Sequence, residues 1–504
     1  MSATAFLVPS YADTRPEVFV PRALLPPSAL AAEADTIGWD VVHALRLPVV
    51  NATLEASGRT PATFGHEIQP GWTVSGSFGP WRLVRGGSNS IVFVKAPMTA
   101  ARMTFPNVPD LVLGASAVTV AIKLQYLPQP PEGTAGALDP DDGDPQFLAA
   151  RDQSPNPDDP PAVIQAVDYG GVAPSPVQDA LFKAAMGKWF NADLNLFTYI
   201  FCALSINGRA AQGDFQWLKP TYTGYAYANG ASDEQSCFGV LTMTSGNDPG
   251  GRINQLAPAA VPPGCSASVL ISRPSFLRRL MIPGLTRALA GTVESDFEVD
   301  SAGNSITSLR SIALAQIDVD GTKYDPVITE LTLQIVGDEI QLHTRTRIEV
   351  SPGIASIVMA TDFFRITLVN KPEGGQTLDF TTSRPQTRVD MTEKALWVDI
   401  TEVLVAIIGA IAAIIAGIVI PGAGAALVAV LLIGLVAGLA AATPTLIAKV
   451  AGGKAADALP SIAELLTATT ADIHWPQSAG LELLSVELNG SLQLGGRLRP
   501  AVAR

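Results

Sequence analysis

Between Glu402 and Lys449 no ionisable side chain occurs, and few arrangements can accommodate the resulting stretch, Val403–Ala448. Pro421-Gly422-Ala423-Gly424 divides it into Val403–Ile420 and Ala425–Ala441, so the pattern predicts two apolar helices joined by a tight turn. At 1.5 Å per residue each half spans roughly 26 Å, just short of a hydrocarbon core of about 30 Å. A helix apolar on every side cannot face water, so this hairpin needs cover from the protein, an oligomer or a bilayer. Gly434 and Gly438 stand four apart, and Gly409, Ala413 and Gly417 make a similar ridge of small residues. Such ridges allow close helix approach. The hydropathy is that of a membrane anchor, whereas the short halves rich in Ala and Gly suit packing within the protein. On the first helix Leu404, Ile407, Ile411, Ile414 and Ile418 are candidate contacts with lipid or another apolar surface. Leu427, Leu431 and Leu435 are their counterparts on the second.

The rest of the chain narrows the class. Hydrophobic residues make up 47% and charged residues 16%, against about 25% charged in ordinary soluble domains, so there is apolar surface to hide. With 33 basic and 46 acidic side chains the net charge is -13, which repels phosphate backbones and excludes nucleic acid as a partner. At 504 residues the chain exceeds what one core usually organises. The expected division is a Pro- and Ala-rich arm over 1–35, a β-rich module over 36–290 with an acidic loop at 127–161, and a second β-rich module over 291–504 that contains the hairpin at 403–448. Cys202, Cys237 and Cys265 form no CxxC pair and are an odd number, which fits buried thiols or a reducing compartment. The opening Met1-Ser2-Ala3-Thr4-Ala5-Phe6-Leu7 has neither the basic nor the long apolar region of a signal peptide. A cytoplasmic protein is expected by default, with non-classical release or membrane association as alternatives.

Most of the ordered sequence reads as strand. A strand over Trp39–Leu45 leads into a short helix with Pro48 in its first turn and Val50 and Leu54 on one face. In Ala117–Leu127, Val118, Val120, Ile122 and Leu124 alternate with Thr119, Ala121 and Lys123, the period of a sheet with one buried face. Glu339–Val350 alternates likewise. The stretch Leu127–Pro161, loaded with Pro, Asp and Gly, predicts a solvated excursion. Helices are expected near Val177–Phe190 and over Ser275–Leu289, the latter interrupted at Pro283. Turns at Ala302-Gly303-Asn304, Asp320-Gly321 and Asn489-Gly490 predict antiparallel hairpins.

Local signatures of catalysis are missing: there is no GxSxG elbow, no GxxxxGK[ST] phosphate loop and no HExxH zinc helix. His43, His66, His343 and His474 stand singly and read as structural or surface residues. Asp139-Pro140-Asp141-Asp142-Gly143-Asp144 lacks the terminal Glu of a calcium loop. No catalytic, cofactor or metal residue is assigned, and no enzymatic activity is expected. Aromatics gather in Phe215–Tyr227, where Trp217, Tyr225 and Tyr227 either line an apolar contact surface or form the packed face of an amphipathic strand.

Two segments carry a resemblance. Thr36-Ile37-Gly38-Trp39-Asp40-Val41-Val42-His43-Ala44 followed by Val50-Asn51 is the first, and Phe215-Gln216-Trp217-Leu218-Lys219-Pro220 followed by Tyr225-Ala226-Tyr227 is the second. In sequence and order, together with Gly239-Val240-Leu241, they resemble the bacterial family of the clostridial forty-seven-kilodalton protein and the OrfX proteins of botulinum neurotoxin gene clusters. That resemblance implies an α+β tubular lipid-binding (TULIP) architecture: elongated, with long helices wrapped by strongly curved antiparallel sheets around an apolar groove, from about residue 36 onward. It implies no enzyme and no cofactor. The implied role is accessory to a protein toxin, with lipid or phosphoinositide as the partner; the alternative is a protein-interaction or chaperone-like component of a toxin or secretion cluster, its groove filled by its own side chains and its partner the product of a neighbouring gene.

Overall fold

In the computed structural model the described residues are 33–106, 108–134, 145–151, 158–205, 216–289, 291–314, 316–319, 322–370, 376–394 and 472–500. The apolar stretch Val403–Ala448, with its candidate contacts, lies outside them, as do Asp139–Asp144 and the dipeptide Asp320-Gly321. Strands hold 55% of the described residues and helical turns 16%. The expected α+β fold of long helices wrapped by sheets is therefore corrected to a mostly β fold with curled sheets. The physical reason is that period-two runs outnumber helical ones, and the sheets bury their apolar faces largely against one another.

One sheet has six strands in the order Pro220–Ala228, Cys237–Thr244, Val41–Arg46, Ala267–Ser272, Ser491–Pro500 and Ser478–Leu488. Its third strand is buried on both faces. Val41 and Leu45 enter the main core, while Val42 and Ala44 join a smaller cluster with Leu241, Val261 and Leu270. A continuous apolar run is what such a strand requires. The last two strands bring the end of the chain back beside Ala267–Ser272, joined by the hairpin at Asn489-Gly490. There the start of the described chain is tied down as well: the Ala34 amide donates to the Asn489 carbonyl at 2.7 Å, and the Ser491 hydroxyl donates to the Ala34 carbonyl at 2.6 Å.

A ten-stranded sheet runs Thr63–Gln69, Trp72–Phe78, Ile91–Phe105, Ser116–Leu127, Pro145–Ala150, Cys202–Ser205 and Ile473–His474. Arg82–Ser88 and Val108–Leu113 pair with Ile91–Phe105, and Ala162–Asp168 pairs with Ser116–Leu127. Pro145–Ala150 corrects the reading of 127–161 as one solvated excursion. Phe147, Leu148 and Ala149 are buried in the sheet interior, a short apolar island that the surrounding Pro and Asp obscure. A third sheet, Phe297–Val299, Ser305–Ser308, Val327–Val336, Glu339–Ser351, Ile354–Asn370 and Gln376–Lys394, also takes in Ile312–Ala313. Ile317–Val319 and Thr322–Tyr324 form a small hairpin of their own. Every registered pair among the described strands is antiparallel.

Three helical segments plug the sheets. Helix α1, Leu47–Ser57, has proline in its first turn and buries Leu47, Val50 and Leu54. The Asn51 amide is committed to the Leu83 backbone, accepting from its N–H at 2.7 Å and donating to its carbonyl at 3.0 Å. Helix α2, Pro176–Asp193, starts at a capping box made by Ser175 and Gln178 and buries Phe182, Ala185, Met186, Trp189 and Phe190. Helix α3 runs through Arg273–Phe276, Leu277–Met281 and Ile282–Ala288, with a π-turn in its middle segment. Pro283 has no N–H to donate and crowds the carbonyl four residues back, and the wider turn just before it accommodates both.

Candidate functional site

The Gly38-Trp39-Asp40 and Trp217-Leu218-Lys219-Pro220 segments meet at one end of the six-stranded sheet. Gly38 is left-handed at φ +85°, and a Cβ there would come within 2.7 Å of the Arg252 guanidine Nε. Trp39 is fully buried and stacks on Tyr222, with ring centroids 6.0 Å apart. The buried Asp40 carboxylate accepts hydrogen bonds from the Thr244 amide at 2.8 Å, the Asn247 side chain at 2.9 Å, and the Ser275 and Thr244 hydroxyls at 3.3 Å each. One carboxylate thus joins the entry of Val41–Arg46, the exit of Cys237–Thr244 and the first turn of α3. Nearby, the Ser245 hydroxyl donates to the Trp217 carbonyl at 3.3 Å. Gly239 lies opposite Ala44, where a Cβ would stand 3.0 Å from the His43 carbonyl and against Leu256. The geometry of these segments is architectural: they fix strand register and sheet closure.

The aromatic candidates take different positions. Trp217 is partly buried against the core. Tyr225 and Tyr227 are 6% and 2% exposed, and both hydroxyls pin the six-stranded sheet to the ten-stranded one. Tyr225 accepts from the Leu124 amide and donates to the Ser90 carbonyl, both at 2.7 Å, and Tyr227 donates to the Val84 carbonyl at 3.2 Å. Removing the Tyr225 hydroxyl as Y225F leaves a buried amide short of a partner. The expected loss is about 1–3 kcal/mol, read as a lower urea midpoint with an unchanged slope.

Among the described residues, aromatic side chains pack through the interior. Trp81 packs against Phe78, Phe190 and Phe197 at centroid distances of 5.1–5.5 Å, and from Phe197 the rings of Tyr199, Phe201 and Phe238 continue toward the six-stranded sheet in steps of 5.0–6.5 Å. Two clefts open at the surface, both beside the segment that follows residue 471. One, about 270 Å³, lies between Ser57, Arg59, Tyr199 and Pro476. The other, about 290 Å³, is walled by Leu45, Val269, Ile473, Trp475, Leu481 and Leu498, with His43 and His474 among its lining. His474 contacts the Ser205 hydroxyl at 3.2 Å. His43 sits between Val240 and Val269 in the sheet, on the face that also carries Val41 and Leu45. Sequence reasoning passed it over as one lone histidine among four; the available signal was a polar residue inside the otherwise apolar run Val41-Val42-His43-Ala44-Leu45.

Burial disfavours the charged imidazole and lowers the His43 pKa to about 3. Burial also pushes the Asp472 carboxyl up to about 6, with Lys219 opposing the shift. The two act on stability in opposite senses. The unfolded chain takes up a proton at His43 below about pH 6.5 that the fold refuses, so this contribution is present above 6.5 and is lost as pH falls toward 3. Asp472 costs stability as pH rises through 6. Comparison with a variant isolates the first effect: between pH 7 and pH 5 the wild type should lose about 2 kcal/mol more than H43L, measured by urea unfolding followed through tryptophan fluorescence. Equal losses would show that His43 is not held neutral.

Among the described residues no three His, Cys, Asp or Glu side chains gather as a metal-ligand set, and Cys202, Cys237 and Cys265 are free thiols. No helix of the described residues is long and apolar enough to cross a membrane. The model of the OrfX-like family, described as Protein OrfX2/OrfX3/P47, matches residues 36–496. The chain belongs to the OrfX/P47 family. Its relatives include Protein OrfX3 of Paraclostridium bifermentans, 27% identical with 92% of this chain and 99% of that protein covered. Protein OrfX3 of Clostridium botulinum strain Kyoto / Type A2 is 26% identical, over 93% of this chain and 99% of its own length. Among solved structures, P47 from Clostridium botulinum A2 superposes with a TM-score of 0.63 at 15% identity, covering 92% of this chain and 99% of that one. P47 of Clostridium botulinum E1 superposes with a TM-score of 0.61 at the same identity and coverage. This OrfX/P47 chain shares the P47 fold, and the motif segments that carry the family resemblance are those that close its six-stranded sheet.

Proposed function

We propose that this OrfX/P47-family protein is a non-catalytic binding protein that recognises a protein partner with its outer surface, as an accessory component of a toxin or secretion cluster. The observation that supports this reading is the packing of the described interior, where the rings of Phe78, Trp81, Phe190 and Phe197 lie buried against one another within a continuous apolar cluster. The partner class this favours is the product of a neighbouring gene. Co-expression with each such product, followed by size-exclusion chromatography with light scattering, should give a stoichiometric complex in at least one case. Monodisperse, unpartnered protein in every combination would contradict the reading.

A second reading is favoured by one specific observation, the charge-free sequence Val403–Ala448. Its hydropathy supports lipid or membrane binding by that stretch rather than by an internal groove. Liposome flotation of the full chain, beside a chain with 403–448 replaced by a Gly-Ser linker, separates the two. Flotation that requires the native stretch supports membrane contact, and no flotation by either chain rejects it.

A further inference from the structure

The His43 cleft combines features that an incidental surface dimple lacks. His43 is 4% exposed, yet its ring lines the cleft, and among the described residues it has no hydrogen-bond partner. Trp475 is 8% exposed and packs edge-on against Phe238, 6.5 Å between centroids, which holds one wall in place. Leu45, Val269, Ile473, Leu481 and Leu498 supply aliphatic walls, and Ser268, His474 and Ser478 add polar groups. The His43 ring nitrogens are not among the fully buried unpartnered atoms, so the imidazole reaches the cleft and is available to accept a hydrogen bond there.

We propose that the cleft walled by Leu45, Val269, Trp475, Leu481 and Leu498 binds a small uncharged molecule with an apolar or aromatic body and one hydroxyl group, the hydroxyl donating to the His43 imidazole. Charge decides the class. No Asp, Glu, Lys or Arg is among its lining residues, so an ionised ligand would lose hydration with little compensation. A hydroxyl needs one acceptor, and the neutral imidazole is one. Because burial keeps His43 neutral down to about pH 3, the imidazole remains an acceptor from pH 8 to 5, while Asp472, pushed up to about 6, and His474 stand on the adjoining segment. The proposal does not rest on the protein-partner reading.

The test uses the full chain, p-cresol as probe and p-toluate as its charged counterpart. Four histidines make the ring-nitrogen NMR signals of histidine-labelled protein assignable by single substitutions. Saturable p-cresol binding that shifts the His43 acceptor nitrogen at both pH 8 and pH 5 is the expected result, with no saturable binding of p-toluate. H43L should weaken p-cresol about ten-fold, the scale of one hydrogen bond. A479W adds bulk at the exposed rim without touching the core, so it should abolish binding at an unchanged unfolding midpoint, and it keeps the test valid if H43L folds poorly. No saturable p-cresol binding, binding that survives both variants, or equal binding of p-toluate would overturn the proposal.

Discussion

Replacing Asp40 by alanine should cost about 3–5 kcal/mol of stability, because it strips a buried charged acceptor from several donors at once. The Thr244 amide, the Asn247 side chain and the Ser275 hydroxyl all converge on this one carboxylate. The first is a buried backbone group, and the last belongs to the opening turn of α3. D40N retains one acceptor oxygen but turns an N–H toward groups that themselves donate, so an intermediate loss is expected. Urea unfolding of D40A, D40N and the wild type measures both. A loss under about 1 kcal/mol for D40A would mean that water replaces the carboxylate and that the Gly-Trp-Asp segment does not hold the sheet closed.

Trp81 tests the filled interior in the same units. It is 1% exposed and touches Phe78, Phe190 and Phe197 at centroid distances of 5.1–5.5 Å. W81A should lose about 3–5 kcal/mol through the cavity it leaves. W81F should recover most of that, since the buried indole Nε1 has no hydrogen-bond partner to lose. A small W81A effect would show that the interior collapses or hydrates readily, contrary to a tightly packed core.

Local chemistry was readable from sequence and long-range closure was not. The Pro48 helix start, the buried set Val118, Val120, Ile122 and Leu124, and the Asn489-Gly490 hairpin are written in neighbouring residues, and the structure has each of them. Pro145–Ala150 was hidden because a six-residue strand carries little periodicity and its flanks are rich in Pro and Asp. Long helices were expected from the family resemblance rather than from the residues, and the many alternating runs pointed instead toward the mostly β outcome. The His43 cleft had no local signature. His43 and Trp475 are brought together when the chain returns after residue 471 to lay Ile473–His474 against Cys202–Ser205, a juxtaposition that no spacing encodes. Tyr225 and Tyr227 could be read from sequence in two ways, and their hydrogen-bonded hydroxyls give both a part in joining the sheets.

Native mass spectrometry of the full chain, purified without detergent alone and with its co-expressed neighbouring products, tests the central claim most directly. The account predicts the bare polypeptide mass in the first case and a stoichiometric protein complex free of lipid in the second. A stoichiometric lipid adduct that survives purification and gas-phase activation would contradict a filled interior and place the binding function inside the fold.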